Sequence, residues 1–92
     1  MDFTYSPNRI SLKGEDEQML AEVTFPAIDE TTVDINHTFV DPSLRGQNVA
    51  DSLMGAAAAQ LLAEDKKAVL TCSYAVKWFG KHPEYGNILK QD

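Results

Sequence analysis

Two hydrophobic periods divide the chain near its middle. Residues 9–13 alternate, with Ile10 and Leu12 on one face, and Gly14-Glu15-Asp16-Glu17 supplies a turn. Residues 19–25 alternate again, with Ala21, Val23 and Phe25 on one side and Leu20, Glu22 and Thr24 on the other. Residues 26–30 turn the chain. Residues 31–40 then predict a third strand, whose face of Val33, Ile35, His37 and Phe39 is apolar apart from the histidine. Connections this short favour an antiparallel meander.

Beyond residue 46 the period becomes helical. Val49, Leu53, Ala56 or Ala57, and Leu61 recur at the spacing of one helix face and predict a helix over 47–64. Its alanines have high helix propensity and allow close approach to a sheet, and Lys66 and Lys67 suit its C-terminal end. Residues 68–72 (Ala-Val-Leu-Thr-Cys) form a short apolar run, the pattern of a strand buried on both faces. Ser73 can cap a second helix ending near Gly80, and Pro83 limits its continuation. Residues 84–90 add a last helical turn or two. Strand 31–40, helix 47–64 and strand 68–72 make a right-handed βαβ unit. The fold class expected is α+β: a mixed sheet of three antiparallel strands followed by that unit and a C-terminal helix.

Composition narrows the functions. At 92 residues the chain has material for one core, and we read residues 1–92 as a single domain. Eight Lys and Arg against 14 Asp and Glu give a net charge of −6, which disfavours phosphate backbones and hence nucleic-acid partners. The one cysteine can form neither an intramolecular disulfide nor a cysteine-based zinc site. No run of 18 apolar residues and no leader pattern occurs, so no membrane partner is expected. The reading is a cytoplasmic protein with a reduced thiol, a monomer or weak homodimer.

The segment from Asp41 to Ala50 leaves a strand and opens a helix. The first N–H groups of a helix lack internal partners and sit at the positive end of its dipole, so an anion can bind there. Gly46 permits close backbone approach, Asn48 tolerates left-handed backbone, and Arg45 offers a forked cation for phosphate oxygens. An ordinary loop with a surface arginine would look the same.

Here the chain resembles a known family. Leu44-Arg45-Gly46-Gln47-Asn48-Val49-Ala50 is similar to the acetyl-coenzyme-A-binding motif of the GNAT N-acetyltransferases, Arg/Gln-x-x-Gly-x-Gly/Ala, with Asn48 standing where the motif has glycine. The resemblance sharpens to a subgroup of very small GNAT-like proteins through Ile35-Asn36-His37-Thr38 and the stretch from Cys72 to Tyr85, Cys-Ser-Tyr-Ala-x-x-Trp-Phe-x-x-His-Pro-Glu-Tyr. It implies a minimal GNAT fold that binds acetyl-coenzyme A and transfers acetyl to an amine acceptor. It places the pantetheine between two splayed parallel strands, near Phe39, Val40 and Cys72. The pyrophosphate would lie on the turn formed by Leu44, Arg45, Gly46, Gln47, Asn48, Val49 and Ala50. Backbone N–H groups around Phe39 to Asp41 would hold the thioester carbonyl.

Acetyl transfer needs a base for the amine proton, donors for the carbonyl and a proton for the leaving thiolate. A hairpin turning at Asp29 and Glu30 puts Glu22 opposite His37, and this pair is the candidate base; one register shift would put Asn36 there instead. A structural polar pair is the plainer reading of the same two residues. Cys72, at a strand end and a helix start, could carry an acetyl group, relay a proton, or simply be a core thiol. Many GNAT enzymes use a tyrosine as general acid where this chain has Phe79, which leaves Tyr74 or Tyr85 for that part. Asn48 and Phe79 also favour an alternative, a non-catalytic coenzyme-A-binding or protein-interaction module. A thiol redox protein lacks a resolving cysteine.

Overall fold

The computed structural model describes residues 2–90. Its strands are β1 (Thr4–Ser6), β2 (Arg9–Lys13), β3 (Met19–Thr24), β4 (Thr32–Ile35), β5 (His37–Val40) and β6 (Lys67–Leu70). The helices are α1 (Val49–Ala63) and α2 (Ser73–Gly80), with 3-10 turns at Pro42–Leu44 and Pro83–Ile88. Strands β1-β2-β3-β5 form one antiparallel sheet, and β4 and β6 pair in parallel. The mixed α+β fold expected above is present, with α1 bridging β5 and β6.

Several features differ from the sequence reading. A short strand, β1, precedes Arg9 and forms the sheet edge, where Tyr5 faces Ile10. The 47–64 helix begins at Val49 because Gly46 and Asn48 both take positive φ, which a right-handed helix cannot contain. The predicted cap Ser73 lies inside α2; Cys72 is the cap residue, with extended backbone. Residues 84–90 contribute a 3-10 turn. Residues 89 and 90 instead run beside β6, where Leu89 bridges Ala68 and the Lys90 N–H donates to the Ala68 carbonyl. Val69 and Leu70 are only partly buried, so β6 is not covered on both faces.

The largest difference is the third strand, which breaks at Asn36. β4 pairs with β6, while β5 pairs with β3 on the other side. Asn36 N–H donates to Thr24 C=O, and Thr24 Oγ1 donates to Asn36 Oδ1 at 2.6 Å. One residue is thereby taken out of the alternation, and facing parity inverts across it. Val33 and Ile35 are buried, but beyond the break Val40 packs on the core, while His37 and Phe39 turn outward. The single face of Val33, Ile35, His37 and Phe39 expected from periodicity is two faces.

The core lies between the sheets and α1. Leu53, Met54, Ala57, Ala58 and Leu61 of the helix meet Ile10, Ala21, Val23, Phe25, Val33 and Ile35. Trp78 and Phe79 of α2 close the other flank of α1.

Candidate active site

β5 and β6 run apart where the pairing of β4 with β6 ends. The Ile35 carbonyl receives both Thr71 N–H and Cys72 N–H, at 3.2 and 3.1 Å, and β6 then turns into α2. β5 continues with β3 alone, so the edge it turns toward β6 has no backbone partner. Antiparallel ladders alternate the direction of their N–H groups. Asp41 N–H donates to Leu20 C=O at 2.7 Å, so Phe39 shares its side, and Thr38 and Val40 direct their N–H groups into the gap. Of the backbone donors expected around Phe39 to Asp41, Val40 is therefore the one that faces the gap. The Phe39 side chain lies on the far face of the sheet, opposite Glu22.

The turn that follows is built by local chemistry. Asp41 accepts from Ser43 N–H at 3.0 Å and starts the 3-10 turn of Pro42–Leu44. The Ser43 side chain and then its N–H hold the Asp41 carboxyl below its ordinary pKa. Gly46 has φ +83°, with open space where a Cβ would stand; conformation, and not crowding, calls for glycine there. Asn48 takes φ 56° and ψ 31°, the left-handed conformation asparagine tolerates. Successive left- and right-handed residues aim backbone N–H groups into one concavity. Those of Asn48, Val49, Ala50 and Asp51 have no acceptor among the described residues.

A pocket of about 280 Å³ opens at this end of α1. Leu44, Arg45, Gly46, Asn48, Val49 and Ala50 line it from the turn, with Val40 at the end of β5. Asp51 and Tyr74 complete the wall; the sequence reading placed neither in the cofactor site. Gln47 is exposed and outside the lining, and its N–H is taken by Leu44 C=O. Arg45 is exposed, with no carboxylate within salt-bridge distance among the described residues.

Cys72 stands beside the gap rather than in the pocket wall. Its Sγ lies 3.6 Å from Thr38 Oγ1. Burial raises the thiol pKa, but Ala75 N–H, the Thr38 hydroxyl, and the N–H groups of Tyr74 and Thr38 outweigh it, so the value falls below that of an ordinary cysteine. Thr38 was missed in the sequence because an uninterrupted strand would have turned it away from Cys72. The one available signal was Asn36, a residue type depleted in strands.

The pair Glu22 and His37 forms differently from its expected register. Glu22 lies opposite Phe39, and His37 opposite Thr24. The two side chains still share a face and meet on the diagonal, His37 Nε2 to Glu22 Oε2 at 3.9 Å. Glu22 has a closer partner in Arg9, whose Nε is 2.9 Å from Oε1. Phe79 is 4% exposed within the core, and Tyr85 packs on Trp78 with ring centres 5.7 Å apart.

Residues 9–88 match the model of the GCN5-related N-acetyl-transferase family. The chain belongs to that family. Protein NATD1 of Danio rerio is 36% identical over 78 residues, covering 83% of this chain and 69% of that protein. Protein NATD1 of Homo sapiens is 35% identical over 63 residues, covering 68% and 56%, so the match spans little more than half of the human relative. The solution structure of a GCN5-like protein from Staphylococcus aureus superposes with a TM-score of 0.80 at 24% identity, over 99% of this chain and 89% of that one. Ribosomal-protein-alanine N-acetyltransferase from Brucella melitensis gives 0.58 at 17% identity, over 91% and 63%. These two structures share the GNAT fold with this chain. Family membership and the splayed strands agree with the resemblance stated from the sequence.

Proposed function

We propose that this GNAT domain binds acetyl-coenzyme A and transfers the acetyl group to an amine. The observation that carries the reading is the set of unpaired N–H groups from Asn48 to Asp51 around a pocket that continues to the free edge of β5. Those donors, with Arg45, suit a pyrophosphate. The bound coenzyme supplies an activated acetyl thioester. Val40 N–H is the donor for its carbonyl oxygen, because it faces the gap and the strand leaves it unpaired. His37, with Glu22 beside it, accepts the proton of the attacking ammonium. Tyr74, which lines the pocket, is the phenol that can protonate the departing thiolate; Phe79 has no proton to give. Cys72 has two roles open to it: its thiolate takes the acetyl group from the thioester, or its thiol passes a proton to the leaving sulfur.

The acceptor class is an amine, on a small molecule or on a protein. Phe79 also favours a second reading, in which the domain binds coenzyme A without turnover.

Thermal unfolding with and without acetyl-coenzyme A tests binding. Ligand at 100 times its dissociation constant adds about 2.7 kcal/mol of stability. No shift at millimolar ligand would remove the cofactor reading. Turnover against an amine panel then separates the two readings: His37→Ala should abolish transfer while leaving coenzyme A affinity unchanged. Intact mass after incubation with acetyl-coenzyme A decides the role of Cys72, since an acetyl adduct lost in Cys72→Ala marks the covalent route.

A further inference from the structure

Asp51 is the third residue of α1, a position from which a carboxylate ordinarily turns back to satisfy its own helix's free N–H groups. Here no backbone N–H of α1 donates to it. Its Oδ1 instead accepts from Trp78 Nε1 at 2.8 Å and faces His82 Nε2 at 3.7 Å. Both partners belong to the long Cys72-to-Tyr85 motif, whose Trp and His lie outside the pocket lining.

Those partners are themselves fixed. Trp78 is 5% exposed and meets Phe79 edge-on at 5.0 Å. His82 stacks on the indole at 3.9 Å, and its Nδ1 lies 3.0 Å from Glu84 Oε2. The Asp51 side chain, by contrast, is more than half exposed and is free to swing if released. It also lines the pocket, and after burial its charge is the second cause that raises the Tyr74 pKa.

We propose that Trp78, seconded by His82, is a latch that holds the Asp51 carboxylate off the free N–H groups of α1, leaving them to a phosphate-bearing ligand. A carboxylate tethered at that site competes intramolecularly, at high effective concentration, with any anion from solution. The latch removes the competitor by giving it an indole N–H from a different helix. Trp78 is thus a positioning residue that acts on the ligand through Asp51. This inference rests on the coenzyme A reading, because it concerns the same N–H groups.

The test is a calorimetric double-mutant cycle on the full chain, with coenzyme A and inorganic pyrophosphate as probes and thermal melts to establish folding. Trp78→Phe should weaken both ligands about fivefold, the scale of one charge at a helix end. Asp51→Asn should bind at least as tightly as wild type, and the double variant should recover the Asp51→Asn affinity. Asp51→Glu changes an exposed side chain and lengthens its carboxylate enough to reach back to its own helix; it should weaken both ligands too. If Trp78→Phe does not fold, the contrast between Asp51→Glu and Asp51→Asn decides. A Trp78→Phe loss that persists unchanged without the Asp51 charge, or Asp51→Glu binding as wild type does, overturns the latch. Folded wild type that binds neither probe overturns the coenzyme A reading and the latch with it.

Discussion

Thr38 Oγ1 lies 3.6 Å from Cys72 Sγ, across the gap where β5 and the segment after β6 no longer share backbone hydrogen bonds. Two residues 34 positions apart thus meet only because one strand breaks and another ends.

This contact makes the thiol testable. Thr38→Val removes a donor that favours the thiolate, so the alkylation rate should titrate at a higher pH than in wild type. The folded thiol pKa lies below its unfolded value. Ionisation therefore contributes stability that is full above the unfolded value, near pH ~8.5, and is lost as pH falls through the folded value. Matching titrations in the two proteins would show that the hydroxyl does not face the sulfur in solution.

Arg45 carries the only side-chain cation on the pocket wall. Arg45→Glu should weaken coenzyme A about tenfold or more, with the wild-type affinity itself falling as salt rises. Arg45 has no carboxylate partner within the described residues, so the stability without ligand should stay within about 0.5 kcal/mol of wild type. Calorimetry at two salt concentrations checks both statements.

Asn48 holds a left-handed backbone at the start of α1. Asn48→Ala should destabilise by about 1 kcal/mol, because a Cβ crowds the following carbonyl in that conformation. For a domain of this size that is a melting shift of about 4–8 °C. Asn48→Gly should match or exceed wild type, since glycine occupies the region freely. Equal melting of the alanine and glycine variants would contradict the turn geometry.

Acid should weaken the domain through its turns. Thr31 N–H holds Asp29 below the ordinary carboxylate range, Ser43 does so for Asp41, and His82 does so for Glu84. Each folded value lies below its unfolded one, so each contributes above the unfolded pKa near 4 and is lost as pH falls through the folded value. Stability measured by denaturant should fall below about pH 4, and Asp41→Asn should flatten part of that decline. An unchanged acid limb would remove Asp41 from the account.

Local information carried much of this protein. The alternation at 9–13 and 19–25 foretells β2 and β3, and the spacing of Val49, Leu53, Ala57 and Leu61 foretells α1, because side-chain periods of two and 3.6 are written in neighbouring residues. Gly46 and Asn48 marked the turn into α1 for the same reason: a left-handed backbone and a helix start are short-range events. Family membership was also legible there, in the turn and in the run from Cys72 to Tyr85.

Tertiary structure decided the rest. Residues 31–40 read as one strand, yet the Thr24 carbonyl takes Asn36 N–H on one side while Thr71 and Cys72 N–H donate to the Ile35 carbonyl on the other, and the halves go to different partners. That choice inverts which residues face the core, brings Thr38 to Cys72, and moves Glu22 from His37 to Phe39 in register. Asp51 stands in the first turn of α1, and only the packing of α2 on α1 gives it to Trp78. Period and propensity are properties of a few neighbouring residues, whereas strand partners and cross-helix contacts depend on which surfaces the whole chain brings together.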